Sequence, residues 1–545
     1  MRYFGAILLL LVATKVAALP GDVVTSMPTP GPCPTGLAWD GKYLWVADRK
    51  TDILYQVDPT TGKVNNSITS PSFWPIGLAC DGKYLWAVDM DKQQIFEIDT
   101  ESGIVKKTIN CPASQPQGLA CNGKYLWVSD SRADKIYKVD TDDGTVVSSF
   151  TSPSSSPTGL CFDGKYLWVA DRGKDEIYMM TDEGDVIVII SAPFHVPYGL
   201  TWDGKYLWNV DYESDSLYKI KVHDEEYYSA KREKDVVVEF THIFGNYGPG
   251  TVKTLDFYIA VPTDLRNQKL LEEPEFNPKP NEFLTDRWDQ RFAHYRFTDL
   301  VATKFVKSTM RVKARIYELR YYIFPEKVGS LKDIPTDIRK KWLADGSKYC
   351  INDPIIQRAV KEAVGDEKNP YWMARKIFKY VIDHMKYELT GGWERAPVVL
   401  SRGTGSCSEY SFVFIALCRA AGLPARYVGA VAQRGEEASW DRVFHRWTEV
   451  YIPPYGWIPV DPSGGDTKST RGQAMAIGRV ANRYLITTVN GGDSEYLGWT
   501  YNSSEEWEFE GQCEIYFDKI AEWSPLKETN GKEKLPEQKG YCPRR

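Results

Sequence analysis

One stretch of sequence decides the N-terminal fold: Pro34-Thr35-Gly36-Leu37-Ala38-Trp39-Asp40-Gly41-Lys42-Tyr43-Leu44-Trp45-Val46-Ala47-Asp48. Its central motif, Gly-Lys-Tyr-Leu-Trp, occurs at 41–45, 82–86, 123–127, 164–168 and 204–208. The tryptophans are therefore 41, 41, 41 and 40 residues apart, and Pro-x-Gly-Leu precedes each motif. A fixed period near forty residues with strand-like content is typical of β-propeller blades.

Each repeat contains enough strand signals for one blade. In the first repeat the predicted strands are Gly36–Trp39, Tyr43–Ala47, Ile53–Val57 and Val64–Ile68. Glycine turns separate the first strand from the second and the third from the fourth. Four short strands per repeat predict a five-bladed propeller over residues 19–230.

The fifth repeat lacks a fourth strand, and the N-terminus offers a replacement. Gly21–Met27 matches Gly144–Phe150, which forms the fourth strand of repeat three. We therefore expect the N-terminal strand to complete the last blade, because a closed ring leaves no exposed strand edge.

The repeat pattern resembles the NHL-type propellers over about residues 21–225. The glycines, the aromatics and the aspartate at each strand end recur in every blade, so we assign them to structure. The loops that follow those aspartates differ from blade to blade. If the propeller binds a protein or a carbohydrate, we expect that ligand at these loops: Arg49–Asp52, Met90–Gln93, Ser131–Asp134, Arg172–Asp175 and Tyr212–Ser214.

The residues before the propeller have the pattern of a signal peptide. Arg2 precedes a short apolar run, Gly5–Ala13, and small side chains lead up to Ala18. The run is too short to span a membrane, and no later apolar run approaches the length of about 18 residues that a span requires. The sequence therefore predicts cleavage after residue 18 and a secreted, cell-surface or periplasmic protein.

The remainder of the chain divides into three predicted parts. Residues 234–330 form a small β-rich domain with strands near 235–242, 255–261 and 307–319, whereas 262–299 is polar with no clear period. Residues 331–523 form an α+β domain. Residues 524–545 are a Lys/Glu-rich tail.

A cysteine at the predicted start of a helix is the first candidate for chemistry. Gly403 and Gly405 end a loop, Cys407 follows, and helical spacing continues over Phe412–Ala421. The unpaired N–H groups of a helix N-terminus favour an anion, which lowers the pKa of a thiol placed there.

Three motifs occur in order: Gly-x-Cys at 405–407, His-x-Trp-x-Glu-Val at 445–450 and Gly-Trp-x-x-x-Asp-Pro at 456–462. Together they resemble the papain-like core of the transglutaminase-like superfamily over roughly 350–465. The resemblance implies that Cys407 is the nucleophile, His445 its base and Asp461 the group that orients the imidazole. The backbone N–H of Cys407 and the indole of Trp393 are candidate donors to the oxyanion.

The resemblance implies an enzyme that forms an acyl-thioester from a protein or peptide amide. Water resolves the thioester in a protease or amidase, and an amine resolves it in a transglutaminase. The motif residues are the same for both, and hydrolysis is slightly favoured because water is the default acceptor. The alternative is a non-catalytic surface binding protein that acts through its propeller. A propeller lyase is disfavoured, since the blades show no irregular histidine or acidic cluster.

Other function classes find little support. The chain has 67 basic and 73 acidic residues, hence a net charge of −6, and without long basic runs a nucleic acid is not expected as a partner. The six histidines are scattered, no Cys-x-x-Cys occurs, and no phosphate loop is present, so we expect no metal or cofactor. Cys350, Cys513 and Cys542 are the candidates for a disulfide.

The signal-peptide prediction has a direct test. Expression of the full chain in an exporting host should yield a mature protein whose first residue is Leu19, as read by N-terminal sequencing. A mature protein that still begins at Met1 would contradict the predicted cleavage.

Overall fold

The computed structural model describes residues 19–223, 226–389 and 393–526. The predicted signal peptide and residues 527–545 of the predicted tail lie outside the described residues. Across the three described ranges, no helix has the length and apolar character needed to cross a membrane.

The N-terminal half consists of five four-stranded antiparallel sheets. Its strands, in chain order, are β1 (Val23–Pro28), β2 (Pro34–Trp39), β3 (Leu44–Asp48), β4 (Ile53–Val57), β5 (Val64–Thr69), β6 (Pro75–Cys80), β7 (Tyr84–Asp89), β8 (Gln94–Asp99), β9 (Val105–Asn110), β10 (Pro116–Cys121), β11 (Tyr125–Asp130), β12 (Lys135–Asp140), β13 (Val146–Thr151), β14 (Pro157–Phe162), β15 (Leu167–Asp171), β16 (Glu176–Met180), β17 (Val186–Ser191), β18 (Pro197–Trp202), β19 (Leu207–Asp211) and β20 (Ser216–Ile220).

These sheets form a closed ring. The inner strands β2, β6, β10, β14 and β18 contact one another in succession, and β18 also contacts β2. In the fifth sheet β1 pairs antiparallel with β20, with Ser26 opposite Tyr218, so the N-terminal strand is the outermost strand of blade five. The predicted propeller is confirmed.

A hydrogen bond repeated in four blades explains the recurring Asp and Trp residues. The buried indole N–H donates at 2.9, 2.9, 2.7 and 2.8 Å to the aspartate five residues earlier: Asp40, Asp81, Asp163 and Asp203. Blade three has Asn122 at this position, and the indole N–H of Trp127 has no partner in the described part of the chain. A buried N–H needs an acceptor, so these residues serve the blade.

A nine-stranded sheet follows the propeller. It contains β21 (Tyr228–Ala260), β22 (Gln268–Leu270), β23 (Glu275–Asn277), β24 (Glu282–Thr285), β25 (Arg291–Leu300) and β26 (Lys304–Tyr321). Four of these strands lie in or overlap the stretch 262–299, where the sequence showed no period. The sequence predicts that the α+β domain extends to residue 523. In the structure, the strand Ser503–Pro525 pairs with β21 in the sheet of the β domain.

The third part packs helices against a four-stranded antiparallel sheet. Two 3-10 turns, Pro325–Lys327 and Leu331–Asp333, lead into it. Its elements, and those that return to the preceding sheet, are α1 (Thr336–Trp342), α2 (Pro354–Val364), α3 (Pro370–His384), β27 (Lys386–Tyr387), α4 (Ala396–Arg402), β28 (Thr404–Gly405), α5 (Cys407–Ala420), β29 (Ala425–Ala432), β30 (Ser439–Asp441), β31 (His445–Ile452), β32 (Gly456–Val460), α6 (Thr470–Met475), β33 (Arg479–Val480), β34 (Tyr484–Asn490) and β35 (Ser503–Pro525).

Helix α5 lies at the centre of this third part. Every residue from Cys407 to Arg419 is buried, and the helix packs against β31 as well as against α2, α3 and α4. The four-stranded sheet has the order β32-β31-β29-β34. The predicted multidomain class, a propeller, a β domain and an α+β domain, is confirmed.

Blade four differs from the others in its outer strand. The strand β17, Val-Ile-Val-Ile-Ile-Ser, is buried over its first five residues, whereas β5 and β13 are mostly exposed at the same position. Helix α6 contacts β17, and Arg375 donates to the backbone oxygen of Val186 at 2.6 Å. Blade four and the third part therefore share one hydrophobic core.

The nine cysteines in the described ranges are all free, so the candidate disulfide between Cys350 and Cys513 is not formed. Cys542 lies outside the described residues.

We predict that Val188→Asp in β17 destabilises the protein. Val188 is 2% exposed, and an unpaired carboxylate buried there should lower the free energy of unfolding by roughly 3 kcal/mol. The matched control is Ser148→Asp at the equivalent, exposed position of β13, which should change stability by no more than about 0.5 kcal/mol. Urea denaturation compares the two; equal stability would show that β17 is not covered.

Candidate active site

The local fold fixes Cys407 at the first position of α5. Helix α4 ends at Gly403, whose φ of 75° is readily adopted by glycine, and β28 then pairs in parallel with β27. The fully buried Glu409 accepts hydrogen bonds from the N–H of Ser406 at 3.0 Å and from Arg402 at 2.8 Å. Glu409 thereby holds the loop in front of Cys407.

His445 and Asp461 come from neighbouring strands. His445 begins β31, and Asp461 directly follows β32, which pairs antiparallel with β31. His445 Nε2 lies 2.7 Å from Asp461 Oδ2. The other carboxylate oxygen accepts from the hydroxyl of Ser463 at 3.0 Å and from the N–H of Gly464 at 2.9 Å. Both oxygens of Asp461 are therefore engaged, which fixes the imidazole ring.

The structure also brings Cys407 to this pair. The thiol lies near the imidazole of His445 and the backbone N–H of Arg446, and both lower its pKa. Since Nε2 of the ring faces Asp461, Nδ1 is the nitrogen available to the sulfur. The three residues named from the sequence thus lie together, with His445 between Cys407 and Asp461.

Cys407 differs electrostatically from the other described cysteines. Burial opposes its ionisation, but hydrogen bonds and positive charge from His445 and Arg446 outweigh burial and lower the pKa of the thiol. Burial raises the pKa of Cys418 on the same helix. In the His445–Asp461 pair, burial again opposes charge, yet the carboxylate raises the pKa of His445 and the imidazolium lowers the pKa of Asp461. The lowered pKa of Cys407 and the raised pKa of His445 favour a thiolate–imidazolium pair.

Arg446 is a feature of the site that the sequence did not predict. Its side chain is fully buried, and its guanidinium lies 4.4 to 5.0 Å from four ring centroids: Trp393, Phe412, Tyr427 and Tyr501. Its Nη2 donates to the backbone oxygen of Trp499 at 2.6 Å. It forms no ion pair within 4.0 Å with a carboxylate of the described residues. A thiolate, an imidazolium and a carboxylate sum to one negative charge, which Arg446 balances.

Aromatic residues surround the sulfur. Burial and the charge of Cys407 raise the pKa of both Tyr387 and Tyr501. The ring of Tyr484 lies 5.6 Å from that of His445. A cavity of about 190 Å³, lined by Asp461 and Tyr484 among others, opens beside this pair. These tyrosines could not be predicted from the sequence, because nothing in their spacing distinguishes them from core residues.

Trp393, the candidate oxyanion donor, lies close to the site. Its ring is 4.9 Å from the guanidinium of Arg446 and 6.1 Å from the ring of Tyr501, which itself neighbours Cys407. Its backbone oxygen accepts a hydrogen bond from Lys348. The role of its indole N–H stays a prediction.

Comparison with protein families supports the assignment of this core. Residues 357–462 match the family model described as the transglutaminase-like superfamily. These residues form a transglutaminase-like domain. The matched range includes Cys407, His445 and Asp461, and the resemblance predicted from the three motifs is confirmed.

Two curated relatives match parts of the chain. An uncharacterised protein of Haemophilus influenzae is 27% identical over 153 residues, which cover 24% of this chain and 42% of that protein. The uncharacterised protein YebA of Bacillus subtilis is 34% identical over 73 residues, or 12% of this chain and 10% of YebA. This chain therefore spans less than half the length of either relative.

Among solved structures, a candidate cysteine protease from Cytophaga hutchinsonii superposes with a TM-score of 0.42. It is 15% identical in sequence, and the match covers 56% of this chain and 94% of that one.

We predict that Arg446→Met shifts the alkylation of Cys407 by iodoacetamide to higher pH and slows it roughly tenfold at pH 7, because a cation beside the thiolate is lost. Peptide mapping of the labelled protein across pH measures this effect. The control is Arg426→Met, which removes a guanidinium paired with Glu449 at 2.7 Å. Unchanged labelling in Arg446→Met would show that Arg446 does not stabilise the thiolate.

Proposed function

We propose that this protein is a thiol enzyme in which Cys407 attacks an amide of a protein or peptide. The observation that carries the proposal is the placement of Cys407 beside the hydrogen-bonded pair of His445 and Asp461, combined with the lowered pKa of the thiol. A cysteine that only packs in a core has its pKa raised by burial, as Cys418 does.

In the first half of the reaction, the thiolate of Cys407 adds to the carbonyl carbon of the amide. The oxygen becomes negative, and the N–H at the first position of α5 is placed to donate to it, with the indole of Trp393 as the second candidate donor. His445, protonated in the resting pair, gives its proton to the departing nitrogen. The C–N bond breaks, an amine leaves, and the acyl group remains on sulfur as a thioester.

In the second half, an acceptor resolves the thioester. His445, now neutral, takes a proton from water, and the resulting attack on the carbonyl carbon releases a carboxylic acid and restores the thiolate. An amine acceptor would give a new amide by the same steps. We propose hydrolysis, as a protease or amidase, because water is the default acceptor for a thioester. Transfer to an amine is the second outcome that the test below separates.

The propeller is proposed as the docking module for the substrate, and export of the mature chain is proposed from residues 1–18. The rival hypothesis, a non-catalytic binding protein whose propeller binds protein or carbohydrate, has no need for an ionised thiol. Thiol reactivity therefore distinguishes the two.

We predict that hydrolysis of a peptide mixture, followed as newly released amino groups, depends on Cys407 and His445. Cys407→Ala and His445→Ala should each lower the rate by roughly a thousandfold or more, whereas Cys350→Ala, at a partly exposed thiol, should leave it unchanged. The rate should fall in acid as the thiolate is protonated and in alkali as His445 loses its proton. The lowered pKa of Cys407 and the raised pKa of His445 widen the active range between these limits.

The same assay with an added primary amine reports the acceptor. Release of a free carboxylic acid identifies hydrolysis, and incorporation of the amine identifies transfer. A wild-type thiol that stays inert, or that titrates like free cysteine and is unchanged in His445→Ala, would overturn the enzyme proposal.

A further inference from the structure

A cleft of about 330 Å³ lies between propeller blade four and the β domain. On the propeller side it is lined by Lys174, in the turn between β15 and β16, and by residues 191–195 at and after the end of β17. On the other side β21 and β26 contribute Lys231, Arg232 and Arg320. The turn with Lys174 is one of the blade-specific loops in which the sequence analysis placed a propeller ligand.

Positive charge exceeds negative charge in this cleft, although the chain as a whole carries −6. The side chain of Glu318, only 9% exposed, is shared at 3.2, 3.5 and 3.0 Å by three arginines: Arg232, Arg320 and Arg479. One carboxylate balances only one of the three guanidinium groups. Lys174 and Lys231 form no ion pair within 4.0 Å with any residue of the three described ranges. Two further carboxylates, Asp175 and Glu176, line the cleft, and Glu176 is paired with Arg471 at 2.7 Å. The cleft is therefore lined by four cations and three carboxylates, and one of these carboxylates is neutralised from outside it.

This cleft adjoins the cavity beside His445. Arg479 lines that cavity and donates to Glu318 of the cleft at 3.0 Å. Arg320 of the cleft lies 3.8 Å from the sulfur of Met475, which also lines the cavity. A single layer of side chains therefore separates the two spaces. Arg483, a further cation of the cavity, donates to the hydroxyl of Tyr484 at 2.8 Å.

We propose that the cleft binds an acidic segment of a polypeptide substrate, and that the bound chain continues past Arg479 and Arg483 to Cys407. This inference rests on the proposed function, since it names the substrate class for the same thiol. Carboxylates suit the site because guanidinium groups bind them through paired hydrogen bonds. Phe194, 38% exposed at the propeller edge of the cleft, offers apolar contact that a peptide side chain can use.

The test measures binding separately from catalysis. The full-length Cys407→Ala variant is titrated with a fluorescein-labelled peptide of eight alternating Glu and Gly residues, and anisotropy reports the affinity. We expect the double variant Lys174→Glu/Lys231→Glu to weaken binding at least tenfold. The control, Lys83→Glu/Lys124→Glu, makes the same charge change at exposed turns of blades two and three and should alter affinity less than twofold. A peptide with Gln in place of Glu should not bind.

A second measurement links the cleft to the thiol. In the wild type, the unlabelled acidic peptide should slow iodoacetamide labelling of Cys407, and this protection should vanish in Lys174→Glu/Lys231→Glu. Equal weakening by both double variants, binding without protection, or stronger binding of an eight-nucleotide oligothymidylate would overturn the proposal. If peptide binding fails while the thiol remains activated, the enzyme proposal stands alone; an inert thiol with intact peptide binding refutes only the enzyme proposal.

Discussion

The arrangement of the molecule depends on the burial of β17, the apolar outer strand of blade four, against the part of the chain that contains the transglutaminase-like domain. The other blades expose their outer strands to solvent, and this one is covered by α6 and bonded by Arg375. A buried patch of this kind fixes the orientation of two domains, whereas a flexible linker would leave it free. The position of blade four beside the β domain, and hence the cationic cleft, follows from this contact.

The contact between blade four and α6 also links the propeller to the candidate active site. Arg471 of α6 donates two hydrogen bonds, of 2.7 and 2.8 Å, to the carboxylate of Glu176 in blade four. Helix α6 itself lies between Asp461 and the strand β34 in the chain. The wall of the cavity beside Asp461 is therefore attached to the propeller itself. Within the site, the buried charges of Cys407, His445, Asp461 and Arg446 compensate one another. A thiolate is favourable there only because the cations are already in place.

Local patterns in the sequence were sufficient to predict the propeller and the transglutaminase-like core, and the structure brings the three candidate residues together. The repeat of 41 residues determines the blades, and each motif around Cys407, His445 and Asp461 carries its own local context. The sequence predicts two strands in this region, near 235–242 and 255–261, but not that they form one long strand, because the partners β26 and β35 are remote in sequence. Burial of Arg446 likewise depends on aromatic rings from distant elements. The apolar composition of β17 is visible beside the polar outer strands of other blades, but the surface that covers it is not.

The pairing of β21 with β35 has a consequence for biosynthesis. Paired residues, such as Val236 with Pro525 and Ile259 with Ser503, are more than two hundred residues apart in the sequence. This edge of β21 therefore stays unpaired until β35 has been synthesised. A product truncated before residue 503 would present a long unsatisfied strand edge, which attracts other chains and proteases. The sheet therefore closes only in molecules whose synthesis has passed β35.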